Sequence, residues 1–186
     1  MRVLILLPPS EGKSAPVSGA PVELSALSHP ELGQARRRVG GTLIKVSGQR
    51  NALDVLGVGP SLADEVERNT TLWDAPTDAA ARVYTGVLFE AAGMAAWDDV
   101  ALARAADRVR IVSALWGAVS PADRIPAYRL SMSTSLGRIG PLASYWREHL
   151  GTALGPLADG RLVVDCRSSS YVAAWRPASI PHVSVR

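Results

Sequence analysis

Three clusters in this sequence carry side chains able to do chemistry: Ser10, Glu11 and Lys13; Arg124, Tyr128 and Arg129; and Asp165, Arg167, Ser168 and Ser169. Lysine and arginine in such clusters clamp anions, and Lys13, Arg124, Arg129 and Arg167, with the hydroxyls of Ser168 and Ser169, form a candidate anion-binding set. Glu11 or Asp165 would then act as a general base, with Tyr128 or Ser10 as a proton relay. The same residues also suit a purely structural role, arginine pairing with carboxylate to hold loops together.

Each cluster follows an apolar run. Val3-Leu4-Ile5-Leu6-Leu7 stops at Pro8-Pro9, and Leu162-Val163-Val164 stops at Asp165. The segment from Val109 to Trp116 precedes the middle cluster. Short β-rich apolar runs bounded by breakers read as buried strands. In open α/β sheets, ligands bind beyond the carboxyl ends of such strands. Parallel pairing of the three would therefore send Ser10, Glu11, Lys13, Arg124, Tyr128, Arg129, Asp165, Arg167 and Ser168 to one cleft. Leu4, Leu6, Ile111, Leu115, Trp116 and Val163 would be core.

Between the strands, Ser28 and Glu31 have capping-box spacing for a helix opening at His29-Pro30. That helix would carry Leu32, Ala35 and Val39 inward and Arg36-Arg37-Arg38 on a solvated face, with Gly40-Gly41 interrupting it. Helices are expected over 77–83 and 86–108, broken at Tyr84-Thr85-Gly86, and over 142–150, with Leu142, Tyr145, Trp146 and Leu150 facing the core. A last strand is expected at Val183-Ser184-Val185. Alternating strands and helices predict an α/β (or α+β) fold, a single compact domain over 1–186 with a mixed central sheet and flanking helices.

Residues 49–69 read as a helical hairpin. Two short helical stretches flank Leu56-Gly57-Val58-Gly59, and Pro60 suits the first turn of the second. Glycines at such a turn permit positive φ and close backbone approach. The pattern resembles a helix-hairpin-helix element, which contacts the DNA backbone without reading bases. Its candidate DNA-binding residues are Lys45, Arg50, Gly57, Val58, Gly59, Ser61 and Arg68. Asp54, Asp64, Glu65 and Glu67 work against that role, because nonspecific affinity comes from neutralising phosphates.

The 186 residues are 47% hydrophobic and 20% charged, a globular composition with a formal charge of +3. No apolar run approaches the roughly 18 residues of a transmembrane helix. The opening apolar stretch is too short for a signal sequence, so a cytoplasmic location is expected, with no membrane partner. Cys166 is the only cysteine, which excludes an internal disulfide and fits a buried, inert side chain. His29, His149 and His182 lack metal-ligand spacing, so neither a metal nor another cofactor is expected. Lys13 and Lys45 are the only lysines, the other basic residues being arginines. Nothing in the pattern calls for an oligomer, and a monomer is expected.

Taken together, Leu6-Leu7-Pro8-Pro9-Ser10-Glu11-Gly12-Lys13, Tyr84-Thr85-Gly86-Val87-Leu88-Phe89, Ser113-Ala114-Leu115-Trp116-Gly117, Asp123-Arg124-Ile125-Pro126-Ala127-Tyr128-Arg129-Leu130 and Val164-Asp165-Cys166-Arg167-Ser168-Ser169-Ser170-Tyr171 resemble the YaaA family of peroxide-stress proteins, also called DUF328 or UPF0246. The resemblance implies one α/β domain of unusual topology, with a basic cleft and a helix-hairpin-helix element. It further implies a cytoplasmic protein that binds duplex or damaged DNA and limits iron-linked oxidative damage. Family members usually continue past the position of Arg186 with a further strand and a basic helix, so a missing C-terminal segment is expected. The competing expectation is an enzyme acting on a small anionic ligand, nucleotide-like or carboxylate-like, in the same cleft.

Overall fold

The computed structural model describes residues 2–177 and 180–185. Its strands are β1 (Arg2–Leu7), β2 (Asp78–Ala79), β3 (Val109–Ser113), β4 (Gly117–Val119), β5 (Arg124–Ile125), β6 (Ser135–Leu136), β7 (Gly140–Pro141), β8 (Arg161–Asp165) and β9 (His182–Ser184). The helices are α1 (Gly33–Ser47), α2 (Ala52–Leu56), α3 (Ala63–Arg68), α4 (Ala80–Val83), α5 (Val87–Ala91), α6 (Asp99–Ala106), α7 (Leu142–Ala158) and α8 (Ser169–Val172).

Five strands form the central sheet in the order β4-β3-β1-β8-β9. β1 runs parallel to both β3 and β8, and β8 runs parallel to β9. Only β4 is antiparallel, so the sheet is mixed. Leu7 pairs with Ile111 and Leu6 with Asp165, which places the carboxyl ends of β1, β3 and β8 on one edge. The expected shared sheet is present, and Leu4, Leu6, Ile111, Leu115, Trp116 and Val163 have no exposed surface. Together the elements form one α/β domain.

The turn from β3 into β4 needs glycine. Gly117 has φ of 73°, and a Cβ there would lie 2.6 Å from the Trp146 ring. Trp146, on α7, donates its indole N–H to Ala114 O at 2.7 Å. α7 thus locks onto the β3–β4 turn through one side chain. It runs to Ala158, beyond the expected end, and Tyr145 is only half-buried.

Four sequence expectations fail here. Ser28 caps no helix: its amide and hydroxyl both donate to the Asp123 carboxylate, at 3.0 and 2.9 Å. α1 runs unbroken through Gly40-Gly41, because Gly40 gives close passage to the Trp73 ring. Arg36 is fully buried, donating to the carbonyls of Trp116, Ala118 and Ser28 at 2.9, 2.9 and 2.6 Å, while Arg37 and Arg38 are exposed. Burial pushes the Arg36 guanidinium down to about 10. Residues 77–108 are also more broken than expected. Gly86 and Gly93 take φ of 98° and 59°, and Asp98 caps α6 by accepting from Ala101 N–H at 2.8 Å.

Candidate functional site

The loop leaving β1 is fastened to the segment between α4 and α5. Ser10 Oγ donates to Gly12 O and accepts from Thr85 N–H at 3.0 Å. Ser14 N–H donates to Val83 O at 2.9 Å, and Lys13 forms an isolated bridge with Tyr84. These contacts fix where Lys13 points. Its Nζ lies 4.4 Å from the centre of the Tyr128 ring and 5.7 Å from that of Tyr84. It donates to Ser10 O at 2.9 Å and Glu11 O at 3.3 Å. Burial of the ammonium, then the neighbouring Arg129 guanidinium, lower the Lys13 pKa to about 7 against the opposing pull of Glu11 and Glu65.

Beneath Lys13 the two tyrosines form a buried chain. The Tyr84 and Tyr128 hydroxyls are 2.8 Å apart, and Tyr128 is 2.7 Å from Ser113 Oγ at the end of β3. Ser113 Oγ also accepts from the amides of Leu115 and Trp116, at 3.2 and 3.1 Å. Burial raises the pKa of both phenols. The chain is therefore a neutral hydrogen-bonded path from Ser113 at the sheet edge to Tyr84, with Lys13 lying over the faces of its two rings.

Arg129 organises the carboxylates. Its Nη1 donates to Glu11 Oε2 at 2.7 Å, while Nε and Nη2 donate to Glu65 Oε2 at 2.9 and 2.7 Å. Its side chain is only 7% exposed. Asn69 holds its backbone, accepting from Arg129 N–H and donating to Arg129 O, both at 2.9 Å. Glu65 lies on α3, so this arginine joins the β1 loop to the 52–68 hairpin.

A cleft of about 340 Å³ opens at that junction. Glu11 and Arg129 line one wall, Val55 to Val58 another, and Ser131, Ser133, Thr134 and Ser135 a third. The hairpin consists of α2 and, after a 3-10 turn at Pro60–Leu62, α3. Gly57 ends α2 at φ of 67°, a left-handed conformation that favours glycine. Hairpin and charged cluster, separate features in the sequence, share one concave surface.

Other candidates lie elsewhere. Arg124 is exposed on β5, where it meets Thr77 O at 2.5 Å and the Asp78 carboxylate at 3.8 Å. Arg167 is not free to clamp an anion, contrary to expectation. Its buried guanidinium grips Asp165 through two bonds of 2.8 and 2.7 Å and donates to the carbonyls of Tyr171 and Trp175. Asp165 is correspondingly unavailable as a base. Ser168 and Ser169 are exposed at the start of α8, and no side-chain cap bond is made there. Lys45, Arg50 and Ser61 are exposed; Arg68 lines a different recess, with Ala15, Thr71 and Ala127.

Tyr84, Ser113 and Glu65 received no site role from the sequence. Of the residues missed, the hydroxyl run Ser131-Met132-Ser133-Thr134-Ser135, directly after Leu130, carried a visible signal. Among the described residues, no helix is long and apolar enough to cross a membrane.

These features define a single-domain α/β protein with a charged cleft at the carboxyl edge of a mixed sheet. The chain belongs to the family described as peroxide stress protein YaaA, whose model matches residues 3–186. It is 44% identical over 177 residues to a UPF0246 protein of Streptomyces coelicolor, covering 94% of this chain and 68% of the relative. A UPF0246 protein of Corynebacterium efficiens is 40% identical over 173 residues, covering 91% and 68% respectively. One from Phenylobacterium zucineum is 29% identical over 194 residues, covering 99% and 71%.

Proposed function

We propose that this peroxide-stress-family protein binds DNA, duplex or damaged, with residues 49–69 acting as a helix-hairpin-helix element on the phosphate backbone. The carrying observation is that the turn at Val55–Val58 lines the same cleft as Glu11 and Arg129. A backbone held at the turn would be presented to the Lys13 cluster. Gly57 and Gly59 are exposed, as close approach of a strand requires. Lys45 and Arg50 are exposed nearby for phosphate contacts. Of the opposing acids, Glu65 is already neutralised by Arg129. The hydroxyls of Ser131, Ser133 and Ser135 supply further donors for phosphate or sugar. In this reading the protein works as a monomer in the cytoplasm.

A fluorescence-anisotropy titration at fixed low salt tests the reading. Gly57→Val with Gly59→Val should weaken duplex binding by about tenfold or more, roughly 1.4 kcal/mol. The loss should exceed any effect on folding, measured in parallel by thermal melting. Unchanged affinity in a folded double variant would remove the hairpin from the interface.

A second reading has one observation in its favour. A cleft of about 340 Å³ with one arginine, one carboxylate and several hydroxyls is sized for a small anionic ligand. Calorimetry with a nucleoside phosphate would then give saturable binding to the parent protein. Absence of binding to the parent protein rejects it.

A further inference from the structure

We infer that Lys13 is a nucleophilic amine that captures the ring-opened aldehyde of an abasic site in DNA as a covalent imine. The inference rests on the DNA reading above and adds a reaction to it.

The surroundings of Lys13 suit a nucleophile better than an anion clamp. The two carboxylates beside it, those of Glu11 and Glu65, are both engaged by Arg129. Among the described residues, no carboxylate lies within ion-pairing distance of its Nζ. The acceptors it does have are the carbonyls of Ser10 and Glu11. A neutral amine has two N–H groups and one lone pair. In that form the two carbonyls take both N–H groups, and the lone pair meets no hydrogen-bond donor among the described contacts. An ammonium would carry a third proton; the faces of the Tyr128 and Tyr84 rings attract it, while burial and the Arg129 guanidinium act against it. Burial, and then the Arg129 guanidinium, lower its pKa to about 7, which favours the neutral, nucleophilic amine over a phosphate clamp.

Arg129, a charged neighbour of Lys13, lines the cleft. Lys13 is two residues beyond Glu11, which lines the cleft together with the hairpin turn. Phosphates flanking a damaged nucleotide would lie on the hairpin, with the unpaired sugar directed into the cleft.

The step balances without an outside oxidant or reductant. The Nζ lone pair forms a bond to the aldehyde carbon, and the carbonyl electron pair takes a proton to give a carbinolamine. Loss of that hydroxyl with the remaining nitrogen proton releases one water and leaves the imine.

The chain has only two lysines, so the test is clean. A duplex bearing one abasic site is incubated with the full chain and sodium cyanoborohydride, which reduces an imine to a stable amine. Its control carries a tetrahydrofuran analogue, which lacks the aldehyde. Anisotropy first sets a saturating protein concentration for each duplex and each variant. A crosslink is expected on the aldehyde duplex alone, mapped by peptide mass to Lys13, and absent in Lys13→Met and Lys13→Arg. Because mapping uses the parent protein, the result does not depend on the variants folding. A bound duplex with no crosslink, or a crosslink on Lys45 or the terminal amine, overturns the imine and leaves the DNA reading standing. Failure to bind either duplex overturns both.

Discussion

Arg129 grips Glu65 with two nitrogens at once, Nε and Nη2 standing 2.9 and 2.7 Å from the same oxygen, Oε2. The remaining nitrogen, Nη1, reaches Glu11. One nearly buried guanidinium therefore ties a helix of the hairpin to the loop leaving the central strand. The hairpin turn is positioned by this contact as much as by its own short helices, which are too brief to be stable alone.

Replacing Arg129 with methionine should accordingly loosen the hairpin more than the sheet. Charge-assisted hydrogen bonds of this kind contribute about 1.5–3 kcal/mol each when buried, but Glu11 is largely exposed and water recovers part of the loss. A net destabilisation of about 2 kcal/mol in urea titration is expected. Amide hydrogen exchange at Val55 to Val58 should accelerate while that of Leu4 and Ile111 follows global stability. Equal acceleration everywhere would mean that the arginine does not fasten the hairpin in particular.

Arg167 yields a different result. A cleft arginine would have been expendable for folding, whereas this one is buried against Asp165 with carbonyls of Tyr171 and Trp175 as further acceptors. Removing one partner of a buried pair leaves the other charge stranded, typically at about 3–5 kcal/mol. Arg167→Ala should unfold at markedly lower urea, and Asp165→Ala likewise. The double variant should lose less than the sum of the two singles. Full additivity, or a loss below about 1 kcal/mol for Arg167→Ala, would contradict the observed pairing.

The tyrosine chain predicts an alkaline limit. Tyr84 and Tyr128 are raised by burial from an ordinary value near 10, and Tyr171 is raised to about 12, also by burial. Above pH 10 the unfolded chain therefore loses these protons before the folded one does. The folded state then binds more protons, so stability falls as pH rises beyond 10. Ultraviolet difference absorbance should show most tyrosinate appearing together with the loss of circular dichroism. Tyr128→Phe should soften that dependence. Smooth ionisation of all four tyrosines in a still folded protein would exclude the buried chain.

The sheet was the most legible part of the sequence, because three apolar runs ending in breakers have few alternatives to parallel burial. Leu4, Ile111 and Val163 meet in it as their patterns require. Ser10, Glu11, Lys13, Tyr128 and Arg129 were legible as chemistry-bearing residues for the same reason: they leave those runs. Pairing among charges was not legible. Nothing local distinguishes Arg36 from Arg37 and Arg38, yet its partners Trp116 and Ala118 lie far along the chain and draw it into the core. Likewise Glu65 looked like one acid among several until Arg129 was placed beside it. Tyr84 and Tyr128 are 44 positions apart, and only tertiary packing brings their hydroxyls together.

Gly40 and Gly41 offer a matched test of how α1 tolerates two adjacent glycines. Glycine inside a helix costs about 0.5–1 kcal/mol relative to alanine, so relief of that cost alone would make both substitutions stabilising. Their surroundings differ. A Cβ on Gly40 would fall 2.5 Å from Cη2 of Trp73, whereas one on Gly41 meets nothing within 4 Å. Trp73 packs edge-on against Trp116 with ring centres 6.3 Å apart, so any retreat disturbs that contact. Overpacking of this kind costs about 1–3 kcal/mol, more than the helix gains. Gly41→Ala should therefore raise the urea midpoint by an amount worth about 0.5–1 kcal/mol, and Gly40→Ala should lower it. Tryptophan fluorescence provides a second readout, since only the Gly40 variant should displace Trp73 and shift its emission. If both variants are stabilised and the emission stays unchanged, the close passage of Trp73 over Gly40 is not what keeps that position a glycine.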